Sequence, residues 1–270
     1  MVGLERIGFV GAGNMAEAFI KGLLNGGFPA TGIVISEPDP NRCRLLQERY
    51  QVQVAADNRD LVEKSELIVL AVKPQVVGAV LDEIRPVFSQ DKLLVSILAG
   101  VSTTSLEQGL DHSPRVIRAM PNTPALVGFG ASALCAGRHA AAQDKLLAGR
   151  LFETVGIMQW VSEGQMDAVT GLSGSGPAFV FTFIEALTAG GVQQGLSRDV
   201  AHALAVQTVL GAARLVHESA DHPAVLRDRV CSPGGTTIAG MAVLEKGGLR
   251  SVVMEAVGAA AQRSQELGKK

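Results

Sequence analysis

The chain has 270 residues, enough for two domains of ordinary size, each with its own core. Its 24 basic residues nearly balance 26 acidic ones and no basic tract occurs, which argues against an electrostatic nucleic-acid surface. Three cysteines, Cys43, Cys135 and Cys231, stand far apart with neither disulfide nor metal-ligand spacing, as expected in a reducing cytoplasm.

Near the start, Glu5 and Arg6 precede only a short apolar run, unlike the long apolar segment of a secretory signal. That run, Ile7 to Val10, reads as a buried strand. It enters Gly11-Ala12-Gly13-Asn14-Met15-Ala16 and then a helical pattern through Phe19, Ile20, Leu23 and Leu24. A glycine turn between a strand and a helix is a dinucleotide fingerprint. The first glycine makes the tight turn, the second admits a pyrophosphate to the backbone, and a small third residue lets helix and strand pack closely.

A second strand, Gly32 to Ile35, ends at Ser36-Glu37-Pro38-Asp39, where such folds read the adenosine ribose. Ser36 is a donor and Glu37 an acid, so the position suits either the 2′-hydroxyl of NAD or, through hydroxyl and amide groups, the 2′-phosphate of NADP. Glu37 reads equally as a solvated turn residue. Further units follow: a strand at Leu67 to Val72, a helix opened by Lys73-Pro74 and running through Ile84, and a strand at Leu93 to Leu98. This βαβαβ order implies a parallel sheet, so Ala71, Val72, Lys73 and Pro74, with Ala99-Gly100, should face the same crevice as Gly11. By composition alone Lys73 reads as a solvated lysine.

In Met120-Pro121-Asn122-Thr123-Pro124 two prolines hold the backbone extended and Asn122 offers an amide at a fixed point. It suits a carboxamide such as nicotinamide, or simply a rigid connection. Strands at Ala131 to Cys135 and Met158 to Val161, around a helix from about His139 to Thr154, close a first domain over 1–162.

From 163 to 270 the pattern is helical, and between Asp167 and Arg198 the only charged residue is Glu185. Glu185 interrupts the longest apolar stretch, so no membrane span is expected. Helices this apolar must be covered nearly all round, and a domain of about a hundred residues does this poorly alone, which points to a homodimer. Gly171 to Pro177 breaks the start of the apolar run. Further on, Cys231-Ser232-Pro233-Gly234-Gly235-Thr236-Thr237-Ile238 places glycines and hydroxyls at a helix start, with Ser232 as cap and Pro233 in the first turn. Backbone N–H groups there offer a carboxylate or phosphate a site. The five histidines fall in no metal or nucleophile spacing and read as scaffold or surface residues.

Taken together, the motifs at Gly11 to Ala16, Ala71 to Pro74, Met120 to Pro124, Asp167 to Ala178 and Ser232 to Ile238 resemble those of pyrroline-5-carboxylate reductases, in order and over nearly the whole chain. The resemblance implies an α/β fold, a Rossmann-type dinucleotide-binding domain followed by an all-α dimerisation domain, with an active site that joins two subunits. Dimers would sometimes assemble into rings. It implies NADPH, or NADH, as hydride donor to a five-membered cyclic imine bearing a carboxylate.

In the residues that match, Gly11, Gly13, Asn14 and Met15 would hold the pyrophosphate, and Ser36 and Asn58 would meet the adenosine phosphate. Ala71 to Pro74 and Asn122 would lie along the nicotinamide half. Ser232, Gly234, Gly235 and Thr236 would bind the substrate carboxylate, and the Thr237 hydroxyl would meet the ring nitrogen. Glu37 stands where the family often has serine. Two alternatives share the scaffold: a reductase of another small imine or keto acid, and a non-catalytic dimer that senses NAD(P).

Overall fold

A computed structural model describes residues 4–268, so the extreme ends of both predicted domains, 1–3 and 269–270, lie outside the described residues. The chain forms two compact units. The first runs to Ser175 and takes up the chain again from Ala259; the second is Gly176–Gly258.

The first unit is built on eight strands: β1 (Ile7–Val10), β2 (Ile33–Ser36), β3 (Gln53–Val54), β4 (Leu67–Leu70), β5 (Leu93–Ser96), β6 (Arg115–Met120), β7 (Gly130–Ala136) and β8 (Gly156–Trp160). They lie in the order β3-β2-β1-β4-β5-β6-β7-β8. Every residue of β1, β2, β4 and β5 is buried, as in a parallel sheet covered on both faces, and this explains why they read as unbroken apolar runs. Side chains alternate between two cores. Ile7 and Phe9 pack on one face with Phe19 of α1 (Asn14–Asn25) and Phe152 of α6 (Ala142–Glu153), the two rings edge to face at 4.9 Å. Val10, Ile68 and Leu94 pack on the other with α3 (Asn58–Lys64), α4 (Val77–Ile84) and α5 (Thr103–Leu110), while α2 (Pro40–Tyr50) follows β2.

The predicted parallel sheet holds from β3 to β6, but β7 runs antiparallel to β6. Only residues 121–129 join these strands, too few for a crossover, so the chain must turn back beside β6. The predicted helix at Lys73 also begins later than expected. Pro74–Val76 forms a short 3-10 turn, and α4 starts at Val77.

The first unit reaches past the predicted boundary at 162 because side chains beyond it bond to the sheet and its helices. Glu163 accepts from the N–H (3.2 Å) and hydroxyl (2.8 Å) of Thr103 and pairs with Arg118 of β6. Met166, in the single turn α7 (Met166–Val169), is buried against Ala133 and Cys135. Ser264, near the end of α12 (Leu249–Gly268), donates to Asp167 Oδ1 at 2.6 Å.

The expected break at Gly171 is instead a π-helical turn, Thr170–Gly174, in which the Ser175 N–H reaches Thr170 O at 2.9 Å. Such one-residue expansions often mark functional positions.

The second unit is helical: α8 (Gly176–Gln193), α9 (Arg198–Glu218), α10 (Pro223–Arg229), α11 (Thr236–Lys246) and the start of α12. Large apolar side chains are exposed along it, among them Phe181 (62 %), Leu204 (56 %), Val243 (70 %) and Met254 (74 %). Glu185 does not exclude a span by length: Glu163–Gln193 and Arg198–Glu218 are each long and apolar enough to cross a membrane.

Candidate active site

In the first unit the strand order reverses at β1, which lies between β2 and β4, and ligands of open α/β sheets bind outside the strand ends at such a point. Gly11 turns there with φ +87°, donates to Ser36 O at 2.8 Å, and leaves only 2.8 Å between a would-be Cβ and Ala71 O. Ala71 in turn donates to Val10 O at 2.8 Å, so the ends of β1, β2 and β4 are bonded into one edge. Gly13 is the N-cap of α1, with no side chain capping the helix and open space where a Cβ would stand. The first intrahelical bond is Glu17 N–H to Gly13 O, so the N–H groups of Asn14, Met15 and Ala16 have no intrahelical acceptor. This open cradle fits a dinucleotide pyrophosphate.

Around the cradle the side chains form a connected network. Glu37 is half-buried rather than solvated, and its Oε2 accepts from the Ala12 N–H at 2.8 Å. Ser36 donates through Oγ to Asn58 Oδ1 at 2.7 Å, and Asn58 Nδ2 donates to Glu83 Oε2 at 2.8 Å. Arg42 holds the turn from the other side, with Nε on Ala12 O (2.7 Å) and Nη2 on Glu17 Oε2 (2.6 Å). Burial pushes the Glu17 carboxyl up, but the bonds from Tyr50 and Arg42 outweigh it and hold the group below the ordinary carboxylate range.

Val72 lies against Gly11, whereas Lys73 and Pro74 are exposed, Lys73 capping the 3-10 turn. Asn122 is buried and bonded within the protein: Oδ1 accepts from the Ala131 N–H at 2.9 Å and Nδ2 donates to Ser173 O at 3.0 Å. Its side chain thus ties the start of β7 to the π turn. Arg42 and Glu83 were not singled out from the sequence. Arg42 could have been, as a basic residue just after the β2 turn. Glu83 stands 25 positions from Asn58, and no local pattern links them.

In the second unit, Ser232 to Gly235 form a turn closed by Gly235 N–H to Ser232 O at 3.0 Å, with Gly234 at φ +65°. Proline second and a positive-φ glycine third are what a type II turn demands. The predicted cap is therefore corrected. Gly235, not Ser232, is the N-cap of α11, no side chain caps the helix, and Pro233 lies in the turn before it. The first intrahelical bond is Ala239 N–H to Gly235 O, so Thr236, Thr237 and Ile238 present N–H groups without intrahelical acceptors. Thr237 is half-buried at the second helical position, on the same turn as those donors. A carboxylate or phosphate suits this terminus.

Comparison with known proteins gives a consistent result. Residues 163–267 match the family described as pyrroline-5-carboxylate reductase dimerisation, and residues 6–100 match that described as NADP oxidoreductase, coenzyme F420-dependent. The chain is 49% identical over 267 residues to a pyrroline-5-carboxylate reductase of Synechocystis sp., covering 98% of this chain and 99% of that one. It is 43% identical to the Methanosarcina acetivorans enzyme of the same name, covering 98% and 99%. Among solved structures, a Coxiella burnetii pyrroline-5-carboxylate reductase superimposes with TM-score 0.94 at 38% identity, covering 98% of both chains. Plasmodium falciparum pyrroline carboxylate reductase with NADP bound gives 0.89 at 34% identity, covering 98% of this chain and 100% of that one.

Proposed function

The chain belongs to the pyrroline-5-carboxylate reductase family, and from that premise we propose how its two halves divide the work. It is an NAD(P)H-dependent oxidoreductase that reduces 1-pyrroline-5-carboxylate to L-proline, the last step of proline biosynthesis. We assign the dinucleotide to a domain over 1–162 and the substrate and dimer contacts to a domain over 163–270.

In the first, Gly11, Gly13, Asn14 and Met15 hold the pyrophosphate against the start of α1, and Ser36 and Asn58 meet the adenosine end. Ala71, Val72, Lys73, Pro74 and Asn122 border the nicotinamide end. The bonds that join Gly11, Ser36 and Ala71, and those of Asn122 to Ala131 and Ser173, support a rigid wall there.

In the second, the turn Ser232, Gly234, Gly235 with Thr236 binds the substrate carboxylate, and Thr237 donates its hydroxyl to the ring nitrogen. The observation that carries this reading is the uncapped start of α11, where three backbone donors and the Thr237 hydroxyl share one turn. The substrate is a five-membered cyclic imine with a carboxylate, and its protonated form accepts hydride at the imine carbon. The cofactor, when bound, supplies that hydride. The protein's own contribution is orientation: backbone N–H groups fix the carboxylate, and the hydroxyl bonds the nitrogen as it changes hybridisation.

The exposed apolar faces of the second unit and its match to a dimerisation family support a homodimer. We propose further assembly of dimers into a ring and a cytoplasmic location.

The test is oxidation of reduced dinucleotide on adding pyrroline-5-carboxylate, set beside pyruvate and a six-membered cyclic imine. Turnover of the five-membered imine well above the others is expected. Turnover of another acid instead would reassign the substrate, and tight dinucleotide binding without any turnover would leave a sensing dimer.

A further inference from the structure

We propose that the adenosine end of this site is built for a ribose that keeps its 2′-hydroxyl, so that the chain takes NADH in preference to NADPH, with Glu37 setting the preference. The inference rests on the reading of Gly11 to Ala16 as the dinucleotide turn. Glu37 follows directly on β2, where an acid bonds the ribose 2′-hydroxyl of NAD. Its Oε2 is bonded to the Ala12 N–H at 2.8 Å and its Oε1 lies 3.3 Å from the Asp39 N–H. The carboxylate is therefore held inside the glycine turn and does not swing into solvent.

The neighbouring groups are short of donors. Ser36 is buried, and its one hydroxyl proton already goes to Asn58 Oδ1, which leaves only lone pairs on Oγ. Asn58 gives one of its two amide protons to Glu83, a second carboxylate at the same edge. What the side chains of Ser36, Glu37 and Asn58 leave for a ligand is a set of acceptors and a single N–H. A hydroxyl can donate to those acceptors. A phosphate needs several donors and meets negative charge from Glu37, with Asp39 and Glu83 adding to it.

Two cations beside this edge are engaged: Arg42 has Nε on Ala12 O and Nη2 in an ion pair with Glu17 at 2.6 Å, and Arg59 has Nε on Glu83 O at 2.9 Å. Arg49 is likewise taken up by Glu17, in the first turn of α1, at 2.9 Å.

The experiment uses the full-length protein. Dissociation constants of NAD⁺ and NADP⁺ would be measured by calorimetry, beside kcat/KM for NADH and NADPH. The expected result is that both measures favour the unphosphorylated cofactor by about ten-fold or more, and that the gap narrows as salt screens the repulsion. Glu37→Ser should move both ratios toward the phosphorylated cofactor by about ten-fold or more. Glu37→Gln keeps the size and the bond from Ala12 while removing the charge, and should move the ratios the same way even if the serine variant folds poorly. Equal or tighter binding of NADP⁺ by the unaltered protein would overturn the proposal, as would an unchanged ratio in Glu37→Gln. Binding of neither dinucleotide would overturn the reading of the glycine turn as well, so the two failures are distinguishable.

Discussion

Asn122 donates through Nδ2 to the carbonyl of Ser173 at 3.0 Å, an oxygen that an α-helix would pair with the N–H of residue 177. Residue 177 is proline and has no N–H, so the side chain from the end of β6 supplies the missing donor. At its other end the same amide accepts from the Ala131 N–H. Asn122→Ala leaves both partners unpaired, at about 1 to 3 kcal/mol each. Asn122→Asp restores the acceptor but sets a carboxylate against a carbonyl, and should destabilise at least as much. Chemical denaturation of the two variants checks this, and an unchanged midpoint would mean that water serves both ends.

The two glycines of the dinucleotide turn should fail differently. Gly11→Ala combines a positive φ, costing about 1 to 2 kcal/mol, with a Cβ only 2.8 Å from Ala71 O, so the protein itself is destabilised. Gly13 has open space and an ordinary φ of −68°. Gly13→Ala should keep its denaturation midpoint while dinucleotide affinity falls about ten-fold or more. Equal loss of stability in both would deny Gly13 a ligand-facing role.

At the start of α11 the hydroxyl and the backbone should be separable. Thr237→Ala removes one bond to the ring nitrogen, about 1 to 3 kcal/mol or roughly 5- to 150-fold in kcat/KM, with dinucleotide affinity almost unchanged. At Gly235 a Cβ would run into Ser232 Oγ, so even Gly235→Ala disturbs the turn. KM should rise and inhibition by proline-like acids should weaken. If Thr237→Ala keeps full kcat/KM while its dinucleotide affinity drops, the loop serves the cofactor instead.

Acid stability should depend on Glu163. Burial pushes its carboxyl up, but the hydroxyl of Thr103 and the Arg118 guanidinium prevail, and the group titrates below its ordinary value of 4.5. A depressed folded value means that the stabilisation is complete above the unfolded value and is lost as pH falls through the folded one. Glu163→Gln should therefore lower stability at neutral pH and flatten its fall below about pH 4.5. Parallel melting curves in the two proteins across that range would remove Glu163 from the account. Beside it, burial and the Glu163 charge raise the Cys135 thiol to about 11, so thiol reagents at pH near 8 should reach it only after unfolding.

Assembly is tested by dilution. With Phe181, Leu204, Val243 and Met254 more than half exposed in the single chain, a folded monomer should not persist. Sedimentation should find the dimer at every concentration where the protein is folded and active, and an active monomer would oppose the two-subunit reading.

The sequence by itself determined the nucleotide fold, because its signals are local: an apolar strand, a glycine turn and an amphipathic helix each need only neighbouring residues to be read. The same holds for the helical second unit and its uncovered apolar surface. Tertiary structure alone decided the partners of the polar side chains. Glu37 reads equally as a ribose contact and as a solvated turn residue, and only the fold shows it half-buried and bonded to Ala12, 25 residues back. Asn122 reads either as a partner for a cofactor amide or as part of a rigid connection, and only the fold shows its bonds to the Ala131 N–H and to a carbonyl 51 residues away. The cap at Ser232 failed for a related reason. Ser, Pro and two glycines satisfy both a capped helix and a type II turn, and only the backbone angles at Gly234 and Gly235 separate them. Hydrophobic periodicity is a property of a segment, whereas a hydrogen bond is a property of two groups whose meeting the whole chain must arrange.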